Sequence, residues 1–485
     1  MIYTSERIEM RNSKVLKATS YEKSDSFAVE LRKKKRRDAI INKRIHKSID
    51  TTNLSIEEIH FKIDKYSAIL STSIPDFNTI SQILESFRNF SCMSNAPFLK
   101  MVSSGIIYYL QAYTNKDVPI ELLKESTWII CNLTSGPSII TSKLIENGYL
   151  KKMIDLIELN NDDIVENTII FIGNVAGESI ENCKAVLNSL FFQKIEYFFS
   201  NKVKISVKMI ENLLHTFNII CAKNLLISGT IATVIFNFLS KIKGIIDIEC
   251  LHASWLKILS RLADSNENYR QMIIEKDLLK NIFNYLFFNS VEIQCSAIKI
   301  LGTMMFSNNY FIDLLIVYNI LDNFLHLIAS PCQDIRKEAY WALSNMTAGK
   351  TSHVNTFVWH PICKSGFKGL IDIDINTKIE ASWLYSNIGR KGCSENVILL
   401  VENNILEYLA EALKEKNEYF IRNIVEIIKH IFISAANLAK KEIFIEFVHT
   451  GCYDALIAAE YIAEDNISLH ITNMLKKYDK YFNCE

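Results

Sequence analysis

Along most of this 485-residue chain, apolar residues recur at helical spacing, three and four positions apart. The pattern itself comes back. Trp128-Ile-Ile-Cys-Asn132, Trp341-Ala-Leu-Ser-Asn345 and Trp383-Leu-Tyr-Ser-Asn387 each place Asn four residues after Trp. Weaker copies run from Ile170 to Asn174, Leu214 to Asn218, Lys257 to Arg261 and Lys299 to Thr303. The second markers fall at 132, 174, 218, 261, 303, 345 and 387, in steps of 42 to 44 residues. A second motif keeps the same register: Leu144-Ile-Glu-Asn-Gly-Tyr-Leu matches Leu400-Val-Glu-Asn-Asn-Ile-Leu, and related segments begin at Ile274 and Ile316.

A helix-only repeat of about 40–47 residues is the armadillo/HEAT signature. The predicted fold is therefore all-α: an armadillo-repeat right-handed superhelical solenoid, with a flexible basic N-terminal arm. Repeats of this kind bury their apolar faces only by stacking, and the stack offers a long concave surface. About ten repeats fit the chain. The organisation read here is a basic arm over 1–50, a linker over 51–75, and repeats over 76–485.

Composition supports this. The chain has only 14 Gly and 6 Pro, too few for a β sandwich or barrel. The eleven Cys are scattered, with no Cys-x-x-Cys pair, which speaks against a disulfide framework or zinc site. The most apolar stretch, Tyr419 to Leu438, is broken by Arg422, Glu426, Lys429 and His430, so no membrane span is expected. No His-Glu-x-x-His, Gly-x-Ser-x-Gly or phosphate-loop motif occurs; neither an enzyme nor a cofactor nor a metal site is expected.

The formal net charge is zero, but it is unevenly placed. Residues 1–50 hold 14 Lys/Arg and 7 Asp/Glu; the rest holds 40 and 47. A basic arm on an acidic body points to a tail that binds nucleic acid, membrane or an acidic protein, or the body itself. The negative body argues against direct nucleic-acid binding.

The Trp/Asn pairs supply a binding chemistry. At i and i+4 the two side chains share one helix face. Asn offers a donor and an acceptor to the backbone of an extended peptide. Trp rings form slots for Lys and Arg stems, with a cation–π contribution. Glu125, Glu338 and Glu380 each precede a ladder Trp by three residues and are expected at the slot mouths; Glu178 follows Asn174 by four. The ladder is expected to stand exposed. Trp255 lies two residues off the register and is expected in the core.

These features resemble importin α, the adaptor for proteins carrying basic nuclear localisation signals. Ile335-Arg-Lys-Glu-Ala-Tyr-Trp-Ala-Leu-Ser-Asn-Met-Thr-Ala-Gly349 is close to the family's repeat text. Val29-Glu-Leu-Arg-Lys-Lys-Lys-Arg, with Arg11 before it, resembles its importin-β-binding arm. The resemblance implies a major signal site at Trp128, Asn132, Gly136, Thr141, Asn174, Glu178 and Asn218. It implies a minor site at Lys299, Trp341, Asn345, Glu380, Trp383 and Asn387. It implies an importin-β-binding and autoinhibitory arm carrying Arg11, Arg32, Lys33, Lys34, Lys35, Arg36, Arg37, Lys43 and Arg44. A CAS-type export receptor and shuttling between cytoplasm and nucleus are implied too.

Three departures stand out. Ile170 and Leu214 occupy two positions where the family has Trp, which shifts the expected weight of recognition toward Trp341 and Trp383. Lys299 stands where the family has Arg. Asn42 replaces the first basic residue of the autoinhibitory Lys-Arg-Arg, leaving Lys43 and Arg44, so weaker self-inhibition is expected. The alternative reading is an armadillo scaffold or adhesion-type interaction module without signal-peptide binding.

Overall fold

The structure is a computed structural model that describes residues 54–72, 75–93, 95–244, 249–462 and 465–482. The arm residues Arg11, Arg32, Lys33, Lys34, Lys35, Arg36, Arg37, Lys43 and Arg44 lie outside the described residues. No strand occurs among the described residues; the fold is an all-α armadillo-repeat architecture. None of the described helices is long and apolar enough to cross a membrane.

The chain divides into two units, 1–242 and 243–485. In the first, four long helices recur once per repeat: α1 (Phe77–Cys92), α2 (Ile120–Leu133), α3 (Asp162–Glu178) and α4 (Val207–Cys221). Each packs on the next. In the second unit the same role falls to α5 (Glu249–Ser265), α6 (Val291–Ser307), α7 (Gln333–Thr347), α8 (Ile375–Lys391) and α9 (Glu418–Asn437), again in a consecutive stack. Short helices connect them and cover the apolar side.

The second sequence motif is the corner between two of those short helices. Gly105, Gly148, Asp277, Asn319 and Asn404 all adopt positive φ, between 52° and 90°. Gly enters this region without steric cost, and Asn and Asp tolerate it better than other residues. The motif therefore keeps a Gly, Asn or Asp where the chain must turn sharply.

Buried tyrosines and asparagines fasten neighbouring layers. The Tyr340 hydroxyl donates to the Gly366 carbonyl at 3.1 Å, and that of Tyr385 to Cys363 at 2.7 Å. The Asn345 amide donates to the Gly302 carbonyl one repeat earlier at 2.9 Å. Asn387 repeats the contact to Ser344 at 2.9 Å. Asn132 reaches Ser91 Oγ at 2.8 Å, Asn174 reaches Thr134 Oγ1 at 2.8 Å, and Asn423 reaches Ser382 Oγ at 3.0 Å. Ion pairs cross the same interfaces. The Arg336 guanidinium grips Asp372 with two bonds of 2.6 and 2.9 Å, and Lys378 meets Glu415 at 2.8 Å.

Aromatic clusters fill the layers between helices. In the first unit the Phe217 ring lies between Phe192 (6.0 Å) and Phe238 (5.8 Å). At the C-terminal end, Phe432 on α9 meets Phe444, Phe447 and Tyr478 within 5.5 Å. The helix Asp465–Phe482 presses Ile467, Ile471, Met474 and Tyr478 onto this cluster and keeps charged residues on its other side. That division suits a terminal cap. Trp255 is 1% exposed and packs against Tyr285 in the core.

The segment read as a linker differs from that expectation. Ile56–Thr72 is a helix that buries Ile59 and Ile63 against the first repeat. Ser55 and Glu58 form a reciprocal cap: the Glu58 N–H donates to Ser55 Oγ at 3.2 Å, and the Ser55 N–H donates to Glu58 Oε2 at 2.7 Å. This Ser-x-x-Glu box starts a helix that lacks the repeat register.

Because the Asn amides bridge repeats, Asn345→Ala and Asn387→Ala should each lower the unfolding free energy by about 0.5–1.5 kcal/mol. Urea denaturation without any ligand measures this. Stability equal to that of the parent protein would remove the bridging role.

Candidate functional site

In the first unit, α2 carries Trp128 and Asn132, α3 carries Asn174 and Glu178, and α4 carries Asn218. Helical register sets them on corresponding turns of adjacent helices. Trp128, Asn174, Glu178 and Asn218 are half-buried. The fold thus brings the ladder residues of this unit onto neighbouring helices. It places Gly136 and Thr141 differently. Gly136 is buried beneath Phe98, and Thr141 on the helix Ser138–Glu146 has no solvent exposure.

The expectation of an exposed Asn ladder is corrected by these contacts. Asn132 is 2% exposed and Asn345 3% exposed, because each turns its amide back onto the preceding repeat. Each bridging bond engages one of the two N–H groups of its Asn amide. The Asn132 carbonyl oxygen and the Thr141 hydroxyl are enclosed and have no hydrogen-bond partner among the described residues. Folded proteins seldom leave such atoms unsatisfied, so this corner retains hydrogen-bonding capacity for water or a ligand group.

Where the resemblance expects Trp, Ile170 and Leu214 are buried. Their side chains are shorter than an indole, and the surrounding apolar layer encloses them. No ring is presented at those two steps.

In the second unit, α6 carries Lys299, α7 carries Trp341 and Asn345, and α8 carries Glu380, Trp383 and Asn387. Lys299 is exposed and Glu380 half-buried. Both indoles are nearly covered, Trp341 at 9% and Trp383 at 8% exposure. Gly302 on α6 explains the first: a Cβ there would collide with the six-membered ring of Trp341. Glycine lets the indole lie flat against the neighbouring helix.

The acidic slot mouths also differ from expectation. Glu338 is buried and lies 3.7 Å from Lys299 Nζ and 3.5 Å from Lys337 Nζ. Glu125 accepts from Arg88 at 2.7 Å. Burial pushes the Glu125 carboxyl upward, against the pull of the Arg88 charge. Glu125 and Glu338 are thus both engaged by cations of the chain.

Two further cations were not anticipated. The Arg88 guanidinium lies 5.1 Å from the Trp128 ring centroid while it bridges Glu125 and Glu85. The Arg390 guanidinium lies 5.5 Å from the Trp383 ring centroid. Both distances are within cation–π range. Arg390 follows Trp383 by seven residues on one helix, two turns along the same face, so its placement could have been read from spacing. Arg88 comes from the preceding repeat, and only the stacking brings it to Trp128.

No family model matches the chain. It is similar to importin subunit alpha-1a of Oryza sativa subsp. japonica, with 24% identity over 366 residues, 73% of this chain and 69% of that protein. Importin subunit alpha-5 of Arabidopsis thaliana is 24% identical over 394 residues, 80% and 75% of the two chains. Among solved structures, the crystal structure of an engineered protein superposes with a TM-score of 0.67 at 15% identity, covering 87% of this chain and 99% of that one. With the helical repeats and the recurrent Trp/Asn register, these relatives make the chain a divergent importin-α-like armadillo-repeat protein.

Proposed function

We propose that this protein is a nuclear import adaptor. It binds Lys/Arg-rich nuclear localisation signals along its ladder helices and joins the cargo to importin β through the arm of residues 1–50. The observation that carries this reading is the ladder itself: Trp and Asn at one register, repeated in both units. The named similarity to importin α subunits points the same way.

In this reading an extended basic peptide segment lies across α2, α3 and α4 of the first unit, or across α6, α7 and α8 of the second. Trp128 and Trp341 flank its aliphatic stems. Glu178 and Glu380, both half-buried, supply negative charge on the adjacent helices. The Asn amides hold the helices in register. Thr141 and Gly136 act as support beneath the site, because both are buried. The second unit keeps two ladder Trp residues against one in the first, and one of the two, Trp383, already holds the Arg390 cation of its own helix. The basic arm competes for the same helices at high effective concentration until importin β takes it up. An export receptor of the CAS type returns the adaptor, and the protein moves between cytoplasm and nucleus. No catalysis, cofactor or metal is part of this role.

A fluorescent Lys/Arg-rich signal peptide should bind the full chain, and bind more tightly to a chain lacking residues 1–50. Fluorescence anisotropy reads both. Equal affinity for the two chains would remove the autoinhibitory arm. Absence of binding to either would favour the scaffold alternative.

Glu380→Gln should weaken the same peptide by about fivefold, the equivalent of about 1 kcal/mol for one partly screened ion pair. The loss should shrink as salt is raised, since screening acts on the charge that was removed. An unchanged Kd at low salt would take Glu380 out of the site.

A further inference from the structure

Arg390 ends the ladder of the second unit in an unusual way. It lies in the last turn of α8, where a positive charge is favoured by the helix macrodipole. Its guanidinium is 5.5 Å from the Trp383 centroid, so the ring already holds a cation from its own helix. Two turns of helix fix the pair, and little entropy is lost in forming it.

The surroundings reinforce the positive sign. Lys391 follows directly on α8. On α9, packed against α8, Lys429 and His430 stand at the next step of the register. Gly389 gives His430 its place, because a side chain there would collide with the imidazole. Burial and the charges of Lys429 and Arg390 hold His430 toward its neutral form, with Glu426 pulling the other way. Glu426 is itself shared: Lys429 lies at 3.1 Å, and His430 and His470 each at 3.8 Å. On α8, Glu380 is the acidic residue near the slot, one turn before Trp383.

We infer that Arg390 is the resident cation of the Trp383 slot and sets its specificity: the slot rejects a Lys or Arg of the bound peptide and takes an uncharged or acidic residue. This rests on the reading of the ladder as a peptide site. A peptide cation reaches the ring only by displacing Arg390 and standing beside the charge it displaced. An uncharged or acidic side chain meets no such opposition. The signal peptides suited to this chain therefore carry their basic residues at other steps of the ladder.

Titration of the full-length protein with a fluorescent peptide of consecutive Lys and Arg residues tests this, using Arg390→Ser, Arg390→Lys, Trp383→Ala and Arg390→Ser/Trp383→Ala. Arg390→Ser should tighten binding by roughly two- to thirtyfold, the range of one cation–π slot. Arg390→Lys should keep the weak parental affinity, since the charge is retained. The double variant should lose the gain, which places it on the ring and excludes a general change in net charge. Binding by the parent with no tightening in Arg390→Ser would overturn this inference and leave the peptide site standing. Binding by none of the five proteins would overturn the peptide site and this inference together.

Discussion

Each repeat exposes an apolar face that it cannot cover alone, and the helices that meet there must stay in register to within a turn. The Asn amides enforce that register. Asn345 and Asn387 donate to main-chain carbonyls of the preceding ladder helix, while Asn132, Asn174 and Asn423 donate to hydroxyls. Apolar burial is non-directional and would tolerate sliding. A buried amide with one acceptor does not, because slipping by a residue strands a polar group at a cost of about 1–3 kcal/mol. The placement of Trp rings, carboxylates and cations on the same face depends on this stitching.

The ladder therefore does two jobs with one side chain. The amide end of Asn belongs to the fold, and the oxygen end is left for other use, as at Asn132. The same economy governs charge. Arg88 braces Glu125 and Glu85 while it covers Trp128. Lys299 and Lys337 brace Glu338. Carboxylates left unpaired on closely stacked helices would repel one another and be costly to desolvate. Supplying cations from within the chain removes that cost and lowers the negative potential that a basic peptide would feel.

Much of the architecture was legible because several constraints act at the same period. The Trp/Asn pairs mark the stacked helices, and the Asn-Gly or Asn-Asn corner marks the positive-φ turn of the same repeat. The depth of the site was not legible. Acceptors such as the Gly302 and Ser344 carbonyls carry no side-chain signature, so nothing in the residue pattern said that the Asn amides were committed. The near-burial of Trp341 follows from Gly302 one repeat away, a close approach that only the packed structure reveals. The helix Ile56–Thr72 carries a local start signal, the Ser55–Glu58 capping box, but lies outside the repeat register, so the period that marks the other long helices does not mark it.

The two lost indoles and the two resident arginines belong to one trend. Ile170 and Leu214 remove slots outright, and Arg88 and Arg390 fill two of those that remain. Cation–π recognition is worth most when the ring is open and the cation must leave water to reach it. Here that term is spent on internal pairs, so it adds to stability in the free protein and is unavailable to a ligand without exchange. In the proposed reading, discrimination would then shift toward charge, with the half-buried Glu178 and Glu380 on the same helices. If the ladder binds a peptide as proposed, one so altered would read the path of its backbone and one or two positive charges, rather than a long row of them.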